Sequence, residues 1–166
     1  MATVKIKDII LKMKEIAELH PNIHSFGCGQ LDDLQQDNLY YPYLWILTDE
    51  VHNIEFADDN GYRAIEYQFI LRFGDKKNLQ KGYHDGIYGI GTDNQLDIIS
   101  NTFGYVLDVI NTISEDSLEL FSNIRIVDDI SVEPFYNEDD GDVCGHQATI
   151  TLRVQNDKVC ITPLTI

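Results

Sequence analysis

A chain of 166 residues, 43% of them hydrophobic, is long enough for one domain that buries roughly 70% of its unfolded surface, and too apolar for intrinsic disorder. Its net charge of −16, from 28 acidic against 12 basic residues, excludes indiscriminate gripping of nucleic acid, because such a surface repels phosphates. The apolar runs are too short to span a bilayer and the N-terminus lacks the apolar stretch of a signal peptide. Three widely spaced cysteines (Cys28, Cys144, Cys160) argue against a disulfide framework, so the composition reads as cytosolic in origin.

The first predicted element is an amphipathic helix. Ile6, Ile9, Ile10, Met13, Ile16 and Ala17 recur at helical spacing, and Pro21 should stop the helix near His20. Residues 1–14 carry four lysines against Asp8, a local balance of +3 that leaves −19 for the rest. These lysines are either the solvated face of a helix or a basic end that docks head to tail onto the acidic body of a like neighbour.

A strand over Ile23–Cys28 and a polar loop over Gly29–Asn38 follow. Tyr40–Leu47 is apolar on both faces and reads as a central strand, with Trp45 its largest core anchor. Val51–Ala57 and Arg63–Phe73 flank Asp58-Asp59-Asn60-Gly61, a hairpin signal. In the second arm Ile65, Tyr67, Phe69, Leu71 and Phe73 share one face, against Glu66, Gln68 and Arg72 on the other. The other face meets water or a partner.

Residues 74–91 form a long glycine-rich connection holding the only other basic cluster, Lys76, Lys77 and Lys81, with Tyr83, His84 and Tyr88 nearby. It reads as a plain surface loop or as an arm touching a partner or DNA. Thr92 and Gln95 have capping-box spacing and open a second helix. Leu96, Ile99, Phe103, Val106, Leu107, Ile110 and Ile113 form its expected core stripe, and Ile98, Tyr105 and Val109 a second apolar strip beside it. Such a helix must be covered twice, by the sheet on one side and by the first helix or a neighbouring subunit on the other.

After an ambiguous stretch at 115–122, Asn123–Val127 and Ile130–Tyr136 read as strands, Asn137–Asp142 as an acidic turn, and the segment from Gly145 as a last long strand. That strand carries Ala148, Ile150, Leu152 and Val154 on one face. With no repeat and no linker, the whole chain (1–166) is expected to be a single α+β domain, mostly antiparallel β-sheet packed against an N-terminal helix and a second, central helix.

No cofactor or metal motif emerges. Two strand positions such as His24 and Cys28 lie roughly 13 Å apart, too far for one ion, and Cys144 with His146 supplies only two ligands. Cys160 adds no third at recognisable spacing. The turns at Asp58–Gly61 and Asn137–Asp142 fail the EF-hand pattern, since Phe56 or Tyr136 falls where a carboxylate is required. Gly86–Gly91 lacks the Lys-Ser/Thr of a P-loop, and no nucleophile-elbow serine is present. The expectation is a chain that is not an enzyme; a small hydrolase or metal enzyme is the remotest reading.

Four stretches carry a resemblance: Glu15–Gly29, E-I-A-E-L-H-P-N-I-H-S-F-G-C-G; Tyr41-Pro42 leading into Tyr43-Leu44-Trp45-Ile46; Asn94–Ile110, N-Q-L-D-I-I-S-N-T-F-G-Y-V-L-D-V-I; and the Gly145–Pro163 close. In their order and spacing they resemble small neck and tail proteins of tailed bacteriophages of gut Bacteroidetes, including the crAss-like group. The chain departs from that pattern in the Lys76–Gly91 connection, which is usually shorter. The resemblance implies a tail-terminator-like fold and a ring protein of the phage neck or tail, akin to a head–tail connector. Its partners would be further copies of itself, six- or twelve-fold, and the adjacent portal, neck or tail proteins, with genomic DNA passing through and no membrane. Its location would be the virion, and the host cytoplasm during assembly. Candidate subunit or ring–ring contacts are then Lys5, Lys12, Lys76, Lys77, Lys81, Tyr83, Tyr88, Ile98, Tyr105 and Val109. The alternative, which composition supports equally well, is an acidic DNA-mimic or nuclease-inhibitor protein whose carboxylates imitate phosphates.

Overall fold

The computed structural model describes residues 5–35, 39–48, 50, 52–57, 61–77, 94–115, 124–138 and 142–155. They form two helices, α1 (Ile6–Leu19) and α2 (Gln95–Ser114), and six strands: β1 (Ser25–Gly29), β2 (Tyr43–Leu47), β3 (His52–Ala57), β4 (Gly61–Lys76), β5 (Ile124–Glu138) and β6 (Val143–Gln155). The strand order is β1-β2-β4-β6-β5, with β3 paired to the first half of β4 beyond the end of β2. Only β1 and β2 run parallel; every other pair is antiparallel. The fold is therefore α+β with a mostly antiparallel sheet.

Strand β4 is the spine. From Ala64 to Lys76 it pairs without interruption to β6, and alternation sends Tyr67, Phe69, Leu71 and Phe73 to one face, all buried. Ala148, Ile150, Leu152 and Val154 of β6 and Leu44 and Ile46 of β2 join them. Helix α1 covers this face with Ile9, Met13, Ile16 and Ala17, and α2 with Val106, Val109 and Ile113. Helix α1 ends where Pro21 dictates: His20 is extended at φ −75°, ψ 125°.

The opposite face is not simply polar. Tyr43, Trp45, Phe135 and Val143 form a second, smaller apolar cluster there, capped by Leu34 from a short 3-10 turn (Leu31–Gln35). Two glycines make the room. A Cβ at Gly27 would collide with the Trp45 ring, which lies across the neighbouring strand, and one at Gly74 would collide with Tyr43. Arg72, only 3% exposed, lies in the same cross-strand row, its guanidinium 3.7 Å above the centre of the Phe135 ring. Its Nη1 donates to Gln147 Oε1 at 3.1 Å.

Several expectations are corrected. Trp45 belongs to this outer cluster and not to the main core. Gly74–Lys76 is strand, not connection, because these residues continue the ladder to Gly145, Cys144 and Val143. The first strand starts at Ser25, not Ile23. The two strands expected over 123–136 are one strand, β5, with an irregularity between Val127 and Ser131 where Asp128 adopts φ 65°. The helical residues of α2 begin at Gln95 with Asn94 as the capping residue, not Thr92, which is outside the described residues. The stretch 116–123 and the chain beyond Gln155 are also outside them.

The α2 stripe is rotated from the expected one. Ile98, Thr102, Val106, Val109 and Ile113 face inward, while Leu96, Phe103 and Leu107 are exposed. The physical reason is Thr102. Its hydroxyl donates to the Ile98 carbonyl at 2.8 Å and accepts from His146 Nδ1 at 3.0 Å, so a polar residue satisfies its hydrogen bonds in the core and completes the 98-102-106-109-113 spacing. If the glycine-made space matters as argued, Gly27→Ala forces Trp45 to move and costs about 1–3 kcal/mol. Equilibrium urea unfolding, with Trp45 fluorescence as the probe, measures it.

Candidate functional site

Among the described residues, a cleft of about 570 Å³ lies where the C-terminal ends of α1 and α2 meet, lined by Ile16, Leu19, His20, Pro21 and Asn22 on one side and Asp108, Asn111, Thr112 and Glu115 on the other. The turn at Pro21 folds the chain back, so that the Asn22 N–H donates to His20 Nδ1 at 3.2 Å. This fixes the tautomer: Nε2 carries the proton and donates to Asp108 Oδ2 at 3.3 Å. The Tyr105 ring meets His20 edge-on with centroids 5.2 Å apart. Both imidazole nitrogens are thus engaged, and the ring clips the end of α1 to α2; in this arrangement neither nitrogen faces a substrate.

The cleft lining is partly apolar, from Ile16, Leu19 and Pro21, and partly acidic, from Asp108 and Glu115. Leu19 is 77% exposed, the Asp108 side chain 65%, and Glu115 is exposed as well. Neither helix carries a basic residue in its last turn, so the partial negative charge of both C-termini adds to the carboxylates.

The candidate residues distribute as follows. Lys5 caps α1 and is exposed, its backbone N–H donating to Asp8 Oδ2 at 3.1 Å. Lys12 pairs with Glu15 at 2.6 Å, as Lys14 does with Glu18 at 3.4 Å. Lys76 is exposed at the end of β4 on the face away from the helices, and the Lys77 N–H donates to the Asp142 carbonyl at 2.6 Å. Lys5 and Lys76 therefore lie on opposite layers. Ile98 and Val109, expected on a strip covered by the first helix or by a neighbouring subunit, are buried in the chain's own core, and Tyr105 is half-buried against His20. Lys81, Tyr83 and Tyr88 lie outside the described residues.

Among the described residues, no three of His, Cys, Asp or Glu converge to hold a metal ion. His24 Nδ1 is 2.7 Å from the Tyr41 carbonyl, Cys28 is exposed, Cys144 is buried, and His146 is held by Thr102. No helix among the described residues is long and apolar enough to cross a membrane. Sequence reasoning missed His20, Asp108 and Thr102 as organising groups. His20 read only as a helix stop, because its partner Asp108 is 88 residues away.

Three titratable groups among the described residues are perturbed: His146, Asp75 and Tyr105, whose phenol is raised by burial and by the Asp75 charge. Burial holds the His146 imidazole below the usual histidine range, so the folded chain favours its neutral form. Burial raises the Asp75 carboxyl, offset in part by the Lys76 N–H and by His24. The signs differ in origin. Unfolded His146 takes up a proton near pH 6.5 while the folded one resists, so its contribution is complete above that pH and is lost as pH falls through the folded value. A His146→Gln variant should flatten the fall in melting temperature between pH 7 and pH 5.5. Asp75 pays for its charge at neutral pH, so Asp75→Asn should raise the melting temperature at pH 7.

Compared with known proteins, the chain matches no protein-family model and no curated protein.

Proposed function

We propose that this chain is a non-enzymatic virion structural protein, one subunit of a homo-oligomeric ring at the neck or tail of a bacteriophage, through which genomic DNA passes without specific binding. The resemblance of its sequence suggests the setting, and one structural observation supports self-association. The outer surface of α2 presents Leu96, Phe103 and Leu107 in a single stripe, and α1 adds Leu11 and Leu19, all exposed. Apolar residues grouped on one layer of a soluble chain mark a surface that another protein covers. The covering partner in this reading is a further copy, six- or twelve-fold, with portal, neck or tail proteins above and below.

Charge is compatible with that role. A lumen lined by carboxylates lets phosphates slide instead of stick, and −16 per subunit multiplies around a ring. The same charge favours a second reading, an acidic inhibitor that mimics DNA and occupies a basic nuclease. That reading gives no role to the exposed leucines and phenylalanine of the helix layer.

Light scattering from dilute to high protein concentration, with negative-stain imaging of large species, separates the two. Closed rings of uniform stoichiometry are expected. A strict monomer that inhibits a basic nuclease, with affinity falling steeply as salt rises, would sink the ring in favour of the inhibitor.

A further inference from the structure

We infer that the cleft between the C-terminal ends of α1 and α2 receives the lysine-bearing N-terminal end of α1 from a second copy of this chain, in a head-to-tail contact. This deepens the self-associating reading above and rests on it.

The cleft suits a long cationic side chain. Leu19 and Pro21 offer exposed apolar surface for methylene stems, while Asp108 and Glu115 beside them, with two helix C-termini behind, attract the ammonium. The cleft is open, and a volume of about 570 Å³ leaves room for a lysine side chain.

The chain also carries the matching cation. Lys12 and Lys14 are already paired with Glu15 and Glu18. Lys5 and Lys7, one turn earlier, are exposed, and neither ammonium forms an ion pair among the described residues. They sit at the opposite end of the same helix from the cleft. Fourteen helical residues span about 21 Å, so a copy cannot place its own lysines in its own cleft. A like copy can. Because donor and receptor surfaces differ, the contact is heterologous, and each subunit keeps one of each free for the next. The exposed stripe of α2 runs into the same place, since Leu107 is one turn before Asn111 on the cleft wall.

The test uses the full chain and two complementary variants, followed by sedimentation velocity. Lys5→Gln/Lys7→Gln disables the inserting end. Asp108→Asn/Glu115→Gln disables the cleft and keeps a hydrogen-bond acceptor for His20. Each variant alone should self-associate at least tenfold more weakly than the wild type, and an equimolar mixture should form 1:1 pairs, because one functional end and one functional cleft remain. Pairing on mixing also shows that both variants are folded. A variant that assembles as the wild type does overturns the docking and leaves self-association standing. Variants that stay monomeric and do not pair on mixing overturn it as well. A wild-type chain that is monomeric at every concentration overturns both this contact and the ring.

Discussion

Everything else in the molecule depends on the ladder between β4 and β6. Once Ala64–Lys76 is locked opposite Val143–Gln155, strict alternation decides which side chains face the helices. The face with Tyr67, Phe69, Leu71 and Phe73 is too large and too apolar to stay wet, and α1 and α2 are what cover it. A buried polar pin in that layer, His146 to Thr102, then fixes the rotation of α2. A slip of one residue between the two strands would turn outward either the His146 row or the aromatic row, so both could no longer face the helices. The register, the helix rotation and the cleft at the helix ends are therefore one decision.

The sequence is most legible where the pattern is local. The period-2 alternation of Ile65–Phe73 and of Ala148–Val154, the β3–β4 hairpin and the stop at Pro21 all depend on neighbours within a few residues, and each is where the pattern puts it. Legibility fails where the deciding partner is distant. Nothing local says that Thr102 is a core residue, because its acceptor role is set by His146, 44 residues away. Nothing local says that Gly27 is a seat for Trp45 or Gly74 one for Tyr43, so the outer cluster looked like a wet face. The cleft needs His20 to find Asp108, and a residue before a proline carries no sign of that partner. The candidate basic residues were legible as charge, but their separation onto two layers follows from strand parity at Lys76 and from the helix face at Lys5, which only the fold supplies.

Charge in this chain is organised by position more than by amount. The acidic excess is spread over the body, while unpaired ammonium groups and unneutralised helix C-termini occupy the two ends of the α1 axis. An isolated subunit with that arrangement is electrostatically polar along one direction. Screening shortens the reach of such a field to about 8 Å at physiological ionic strength, so it orients a partner only in the last stage of approach. In the proposed contact, burial of apolar side chains on the helix layer would supply affinity, and charge would supply direction.

Asp128 shapes the β5 margin of the sheet, which no other described strand covers. Strand β5 is the last in the order and spans Ile124–Glu138, long enough on its face to template a foreign strand along its full length. The left-handed residue at Asp128 divides that strand into two shorter ladders offset by two residues against β6, and Pro134 in the second carries no N–H. A visiting strand that fits one half is mismatched on the other. The margin thereby refuses indefinite stacking of sheets, and growth of any assembly is left to surfaces that can close on themselves.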